Sequence, residues 1–340
     1  MSSELTLERC VVRGTHRHRG RSRSVGPTTT AARQLHYGRI NLEKDDAPLR
    51  FPTGSMETGL IALRGEAEVK TGGKSFAMAP YDALYVPRDF EVEVRPGPGG
   101  CDLAEVAAPV EKSYPLQFVA WKDVQADPGL HFTAGAPPTE RTLNILLGKN
   151  VEAGRIVAGV TFPAPGNWMS WPPHEHADML EEAYLYIAMP APSFGIQLVY
   201  TDPAAPELVV VVREGDVVLM PRGYHPGVGA PGGSINFLWM MAAHREGVDR
   251  QFGVVNVQPE WAGGSSPNPR APPRAQGAPN PGSSVSGTYR QNSSVLLPLS
   301  AKSMSVVAVM SPPAFTFFFL AVLPNAGIVS SSAQLPDSGS

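Results

Sequence analysis

Short β-branched or alternating apolar runs, each stopped by glycine, proline or aspartate, set the limits on what this chain can fold into. Residues 59–70 (GLIALRGEAEVK) turn at Gly72-Gly73 into residues 75–78, and residues 83–86 (ALYV) stop at Pro87 before residues 91–94. The same grammar returns at residues 155–162, 182–187, 194–201, 207–212, 216–220 and 235–240. With 35 prolines and 34 glycines in 340 residues, hardly any window keeps an uninterrupted apolar stripe at i, i+3, i+4 and i+7. The predicted fold is all-β: a tandem duplication of small antiparallel barrels or sandwiches with few helices.

Composition divides the chain further. Residues 1–34, biased toward Arg, His, Ser and Thr, read as a flexible segment, and residues 35–135 and 136–261 as the two barrels. Residues 262–340 are rich in Pro, Gly and Ser and read as a disordered low-complexity tail. Its apolar run at 315–320 is hemmed by Pro312, Pro313 and Pro324, which leave ten residues between the second and third. A spanning helix needs about 20.

A net charge of −3 gives no general attraction for nucleic acid or anionic lipid. Cys10 and Cys101 are too few and too far apart for a disulfide framework or a thiolate cluster. No apolar stretch of signal-peptide kind follows the basic N-terminus. The expectation is a cytoplasmic protein with a small ligand and no nucleic-acid or membrane partner; a homo-oligomer stays open.

Chemistry concentrates in PPHEHADMLEEAYLYI (172–187) and, about forty residues on, GDVVLMPRGYHP (215–226). On an extended strand alternate side chains share a face, so His174 and His176 project together while Glu175 points away. A hairpin back brings a carboxylate, Glu181 or Glu182, and the turn 221–224 delivers His225. Three imidazoles and one carboxylate suit a divalent ion (Zn, Mn, Fe, Co or Ni) and leave positions open for water or a substrate oxygen. An HxH pair by itself is equally at home on a polar surface; the later Glu and His tip the balance.

The glycine-rich turns, HxH, Glu and later His are similar to the two motifs of the cupin superfamily. Residues 141–261 more closely resemble the bacterial 5-deoxy-glucuronate isomerase family of inositol catabolism, itself related to the 5-keto-4-deoxyuronate isomerases of pectin breakdown. The shared stretches are RTLNILLG from Arg141, GNWMSWPPHEH ending at His176, LEEAYLYI from Leu180, FGIQLVYTD from Phe194, DVVLMPRGYHP from Asp216 and NFLWMMA from Asn236. In both isomerase families a glutamate opens an E-x-Y-x-Y strand, here Glu182-Ala183-Tyr184-Leu185-Tyr186, which favours Glu182 over Glu181 as ligand. This chain departs in one respect: only ADML separates His176 from the paired glutamates, where the family carries a longer insertion. The first half resembles the family's N-terminal barrel through ALRGEAEV and residues 78–94 but has no HxH pair, so it is expected to be metal-free.

The resemblance implies a metal-dependent isomerase that interconverts aldose and ketose forms of a sugar acid, 5-deoxy-D-glucuronate to 5-dehydro-2-deoxy-D-gluconate. A related uronate isomerase and a non-catalytic sugar-sensing cupin are the alternatives. Such a reaction moves hydrogen between adjacent carbons through an enediolate whose charge a metal stabilises. Water at the metal, Glu181, Tyr184 and Tyr186 are the acid/base candidates. Arg222, three residues before His225, and then Arg141 are candidates for the substrate carboxylate. Gln197 is a candidate for a sugar hydroxyl.

Overall fold

A computed structural model describes residues 5–262 and, as backbone, residues 318–323 and 326–332. Strands dominate, and the two α-helices, α1 (Leu7–Cys10) and α2 (Trp121–Ala126), are short. Before α2 the chain forms β1 (Val11–Val12), β2 (Gly20–Val25), β3 (His36–Leu42), β4 (Leu49–Pro52) and β5 (Met56–Thr71). Then come β6 (Lys74–Met78), β7 (Ala83–Val86), β8 (Glu91–Pro109) and β9 (Gln117–Val119). After α2 follow β10 (His131–Ala134), β11 (Arg141–Leu147), β12 (Ile156–Pro163), β13 (Trp168–Met169), β14 (His174–Glu175) and β15 (Leu180–Tyr186). The series ends with β16 (Gly195–Val199), β17 (Leu208–Val212), β18 (Val217–Met220), β19 (Gly227–Gly229), β20 (Phe237–Ala243) and β21 (Asn256–Val257).

Strands β2 to β9 make one sheet in the order β2-β3-β8-β5-β7-β9, with β4 added to β8 and β6 to β5. Gly72 (φ 55°) and Gly73 (φ 71°) close the β5–β6 hairpin in the left-handed conformation its two-residue turn requires. Register shifts at Ala62/Arg64 and Gly65/Ala67 bend the long β5–β8 ribbon. It encloses an apolar interior that includes Leu60, Val69, Met78, Leu84 and Leu103.

In the second half a seven-stranded sheet, β1-β18-β15-β20-β12-β11-β10, packs against a four-stranded one, β13-β19-β16-β17. The innermost strand of interest is β15, paired on one side with β18 and on the other with β20, and buried along its whole length. A separate two-stranded ribbon joins β14 to β21.

The chain departs from its expected divisions. Residues 5–34 are not a flexible segment. Val11 and Val12 extend the second-half sheet by pairing with Val218 and Val217, and Gly14 N–H and Arg13 both bond to Asp216. Strand β2 then joins the first-half sheet, where Arg21 and Arg23 meet the buried carboxylate of Glu105. Arg13, Arg21 and Arg23 of this segment are thus partners of buried acids. β10, expected in the first barrel, belongs to the second-half sheet. Residues up to Gln258 form one compact unit, and a single apolar cluster runs from Tyr37, Ile61 and Tyr85 to Ile145, Val157 and Met240. The two halves therefore share a core.

Most of the expected tail lies outside the described residues. In the second unit, which begins at Pro259, β22 (Phe318–Leu323) pairs antiparallel with β23 (Ala326–Ser332). No helix among the described residues is long and apolar enough to cross a membrane.

Candidate metal centre

Three chain segments converge inside the second half. His176 follows β14, and a tight turn in which Met179 and Leu180 N–H both bond to His176 O leads directly into β15. The ADML connection is therefore complete as a turn. Glu182 stands on β15 opposite Met220 of β18 and Met241 of β20, fixed from both sides. His225 is delivered by the turn after β18, where Gly223 (φ 91°) is required: a Cβ there would lie 2.9 Å from the Tyr200 carbonyl oxygen.

The donor atoms of His176, Glu182 and His225 lie within 4.8 Å of one another, and all three residues are buried. Glu182 Oε2 is 2.9 Å from His176 Nε2 and 3.1 Å from His225 Nε2. His174 stands beside this group, its ring centroid 5.1 Å from that of His225 and 6.4 Å from that of His176, and it is only half-buried. Glu175 points away, as alternation predicts, and bonds to Ala177 N–H and the Asn256 amide.

Each imidazole is held from behind. Nδ1 of His174 bonds to Pro172 O at 2.8 Å, that of His176 to Leu180 O at 3.3 Å, and that of His225 to Gly223 O at 3.0 Å. A carbonyl only accepts, so each Nδ1 carries a proton and Nε2 is the atom that each ring has left for the site. His225 Nε2 is buried and without a hydrogen-bond partner. A buried carboxylate this close to imidazole Nε2 atoms is balanced by protons on them or by a cation between them, and backbone-anchored Nδ1–H is the usual support behind metal-bound histidine. The donor set fits a divalent ion: donors about 2.0–2.1 Å from a shared centre are roughly 3–3.5 Å apart.

The electrostatics follow from burial and this proximity. Burial opposes ionisation of Glu182, but the hydrogen bond to His176 and the nearness of the His225 ring prevail and bring its pKa down to about 2. Burial alone would lower the His176 pKa, yet Glu182 raises it. His174, lacking a carboxylate contact, is brought down to about 3 by burial and by the neighbouring His225. It is therefore neutral and free to ligate at neutral pH.

The other candidates divide cleanly. Tyr184 borders the site: its ring centroid is 5.9 Å from that of His225, and its hydroxyl is 2.8 Å from Ser170 Oγ. Burial, then the charge of Glu182, pushes its pKa well above the ordinary phenol value, so it stays protonated. Arg141 is close enough to the Tyr184 phenol for each to shift the other's pKa, and its guanidinium bonds only to carbonyls, Thr139 O and Trp171 O. No acid among the described residues pairs with it.

Glu181 faces the opposite way from Glu182, and its carboxylate accepts from the N–H groups of Arg33, Gln34 and Leu35. It has no access to the site. Tyr186 donates to Gln197 Oε1 at 2.7 Å, while Gln197 Nε2 donates to the carbonyls of Leu198 and His225. Fully buried and with its amide so engaged, Gln197 supports the His225 segment rather than reaching for a sugar hydroxyl. Arg222 is taken up by Glu207 at 2.6 Å. Proximity in sequence to His225 misled here, because the turn sends the two side chains apart.

Ser170 went unnoticed in the sequence, where only its place between the two tryptophans of WMSWPP marks it. It adopts φ 53°, a left-handed conformation that costs a non-glycine residue about 1 kcal/mol or more and often marks functional sites.

The model of the KduI/IolB family matches residues 11–256. The 5-deoxy-glucuronate isomerase of Geobacillus kaustophilus is 31% identical over 213 residues, spanning 57% of this chain and 74% of that protein. The enzyme of the same name from Geobacillus thermodenitrificans is 31% identical over 211 residues, spanning 57% and 75%. A crystal structure of an IolB-like protein from Salmonella typhimurium LT2 superposes with a TM-score of 0.66 at 22% identity, covering 74% of this chain and 98% of that one. It shares the all-β fold. The chain belongs to the KduI/IolB family, and it is an isomerase.

Proposed function

We propose that this chain is a metal-dependent aldose–ketose isomerase of a sugar acid, converting 5-deoxy-D-glucuronate to 5-dehydro-2-deoxy-D-gluconate. The observation that carries the reading is the convergence of backbone-anchored imidazoles on Glu182, beside an arginine that has no acid of its own. His174, His176, Glu182 and His225 would hold one divalent ion. When bound, the ion supplies electrophilic stabilisation of the charge that develops on the substrate carbonyl oxygen as the enediolate forms.

The chain's own residues bind the substrate, orient it and handle protons at its oxygens. Arg141, a planar cation in a half-buried setting, takes the substrate carboxylate and sets the sugar's orientation. Tyr184, protonated and steered by Ser170, donates a hydrogen bond to a substrate oxygen; it gives its proton to the oxygen that becomes a hydroxyl and recovers one from the oxygen that becomes a carbonyl. Tyr186 and Gln197 act from behind, fixing the backbone at His225. Cys10 and Cys101 are buried and unpaired, which agrees with the proposed cytoplasmic setting.

The short turn from His176 to β15 is the observation that favours a second substrate, a related uronate, because it shapes the wall beside the ligands. Incubating the zinc- or manganese-loaded protein with 5-deoxy-glucuronate and with other uronates, followed by NMR of the first two carbons, separates the two. Turnover of the named acid supports the proposal; turnover of another uronate alone selects the second reading. Absence of turnover with every acid overturns both.

A further inference from the structure

The ligand that stands apart from the tight group is His174, and it lies on the least supported strand of the site. β14 is two residues long and takes no part in either sheet of the second half. Its one strand partner is β21, with His174 opposite Val257 and Glu175 opposite Asn256. A two-stranded ribbon of this size has little stability in water by itself. What holds it is a set of polar ties from the same short stretch.

Gln258 N–H bonds to Pro173 O, the residue before His174. The Gln258 side chain is buried and accepts a bond from Tyr200 Oη at 2.9 Å. Asn256 Nδ2 reaches Glu175 Oε1 at 2.7 Å, and the second oxygen of Glu175 holds Ala177 N–H, so the turn bearing both histidines is gripped on each side. The other end of the stretch is tied to the barrel wall. Phe252 stacks on Trp239 with ring centroids 4.8 Å apart, and Arg250 bonds to the carbonyls of Ile156 and Gly148. Between the anchored end and the ribbon sits Gly253, at φ 86° with open space where a Cβ would be.

We propose that residues 245–258 form a strap whose last residues, Asn256 and Gln258, position His174 as the adjustable ligand of the metal centre. The inference rests on the metal-centre reading and adds to it. His176, Glu182 and His225 are fixed by the barrel, whereas the reach of His174 is set by the strap, with Gly253 as its swivel. Asn256 and Gln258 are thus positioning residues: they touch neither the ion nor the substrate.

The test uses the full chain and reads metal binding apart from turnover. Co(II) serves as a spectroscopic probe, with affinity measured by competition against a chromophoric chelator. Gln258→Met removes the side-chain tie, Gln258→Pro removes in addition the N–H given to Pro173, and Asn256→Ala releases Glu175. Each is expected to weaken Co(II) binding by about 10- to 100-fold, the range found when residues behind a ligand are lost. Each should also shift the Co(II) absorption toward that of His174→Ala, with the thermal transition of the metal-free protein retained.

Combining His174→Ala with Gln258→Met should cost little beyond His174→Ala alone, because both act through one ligand. Losses that add fully, or strap variants that keep parental affinity and spectrum while His174→Ala changes both, overturn the strap. A parent protein that binds no Co(II) or Zn(II) overturns the metal centre itself. A parent that binds metal without isomerising any uronate removes the proposed reaction and leaves the strap standing or falling on the affinities.

Discussion

Glu57 and Glu181 are reciprocal clasps: each is a fully buried carboxylate that collects three successive backbone N–H groups from the opposite half of the chain. Glu57, on β5, takes those of Gly154, Arg155 and Ile156 just where β12 begins. Glu181, on β15, takes those of Arg33, Gln34 and Leu35 just before β3. The residue after each clasp differs, Thr58 in one half and the proposed ligand Glu182 in the other. Replacing Glu181 by Ala strands the buried N–H of Leu35, at about 1–3 kcal/mol, and frees the part-buried N–H groups of Arg33 and Gln34 at a smaller cost each. We expect a loss of about 2–4 kcal/mol in denaturant unfolding, while the fraction that stays folded keeps kcat within about threefold. A hundredfold fall in kcat of the folded protein would make Glu181 a catalytic base after all.

Metal should stabilise the fold through the same residues that bind it. Zn(II) at a hundred times its Kd is expected to add about 2.7 kcal/mol to the unfolding free energy, and chelation should remove the gain. Glu182→Gln, which withdraws the anion from between the imidazoles, should abolish the zinc-dependent increment. If the variant melts with the same zinc shift as the parent, the ligand assignment is wrong.

Arg141 should govern binding more than chemistry. Arg141→Met removes a charge-assisted contact of about 1.5–3 kcal/mol, so KM should rise roughly 10- to 100-fold with a smaller change in kcat. Lysine should restore little, since it lacks the planar fork. Arg222→Met, which breaks only the pairing with Glu207, is expected to leave KM close to the parental value. Steady-state kinetics on the three variants reads all of this, and an unmoved KM in Arg141→Met rules out carboxylate capture there.

Acid should loosen the docking of β2 through Glu105. Burial would raise its pKa, but hydrogen bonds and charge from Arg21 and Arg23 prevail and hold it below the ordinary value. A depressed carboxylate contributes stability that is present above its unfolded pKa of about 4.3. That contribution fades as pH falls through the folded value. Stability should therefore drop below about pH 4.3, and Glu105→Gln, less stable at neutral pH, should show a flatter profile there. Identical slopes for parent and variant between about pH 5 and pH 3 would falsify the assignment.

The local parts of this molecule were legible in the residues and the distant parts were not. Strand runs, the Gly72-Gly73 turn, the alternation that aims His174 and His176 one way and Glu175 the other, and the choice of β15 as an aromatic-lined strand all depend on neighbours a few residues apart. Glu181 could not be read correctly, because the amides that claim it lie about 147 residues earlier. Arg222 drew notice by standing near His225, yet its partner Glu207 is the residue that decides its direction. Gln197 looked like a polar group on an inner strand, and only the carbonyls of His225 and Leu198 show its amide to be occupied. Nor does any local pattern mark Asn256 and Gln258 as the grip on β14.

The placement of Val11 and Val12 on the edge of β18 bears on how the molecule comes into being. Val11 pairs with Val218, a separation of 207 positions along the chain. As the polypeptide emerges from the ribosome, its first strand has nowhere to dock until nearly the whole of the second half has been made. Pairings of such length are slow to form and leave an adhesive edge bare meanwhile. A gene cut between the halves would yield two fragments, each missing a piece that the other carries, and neither would be expected to stay soluble by itself.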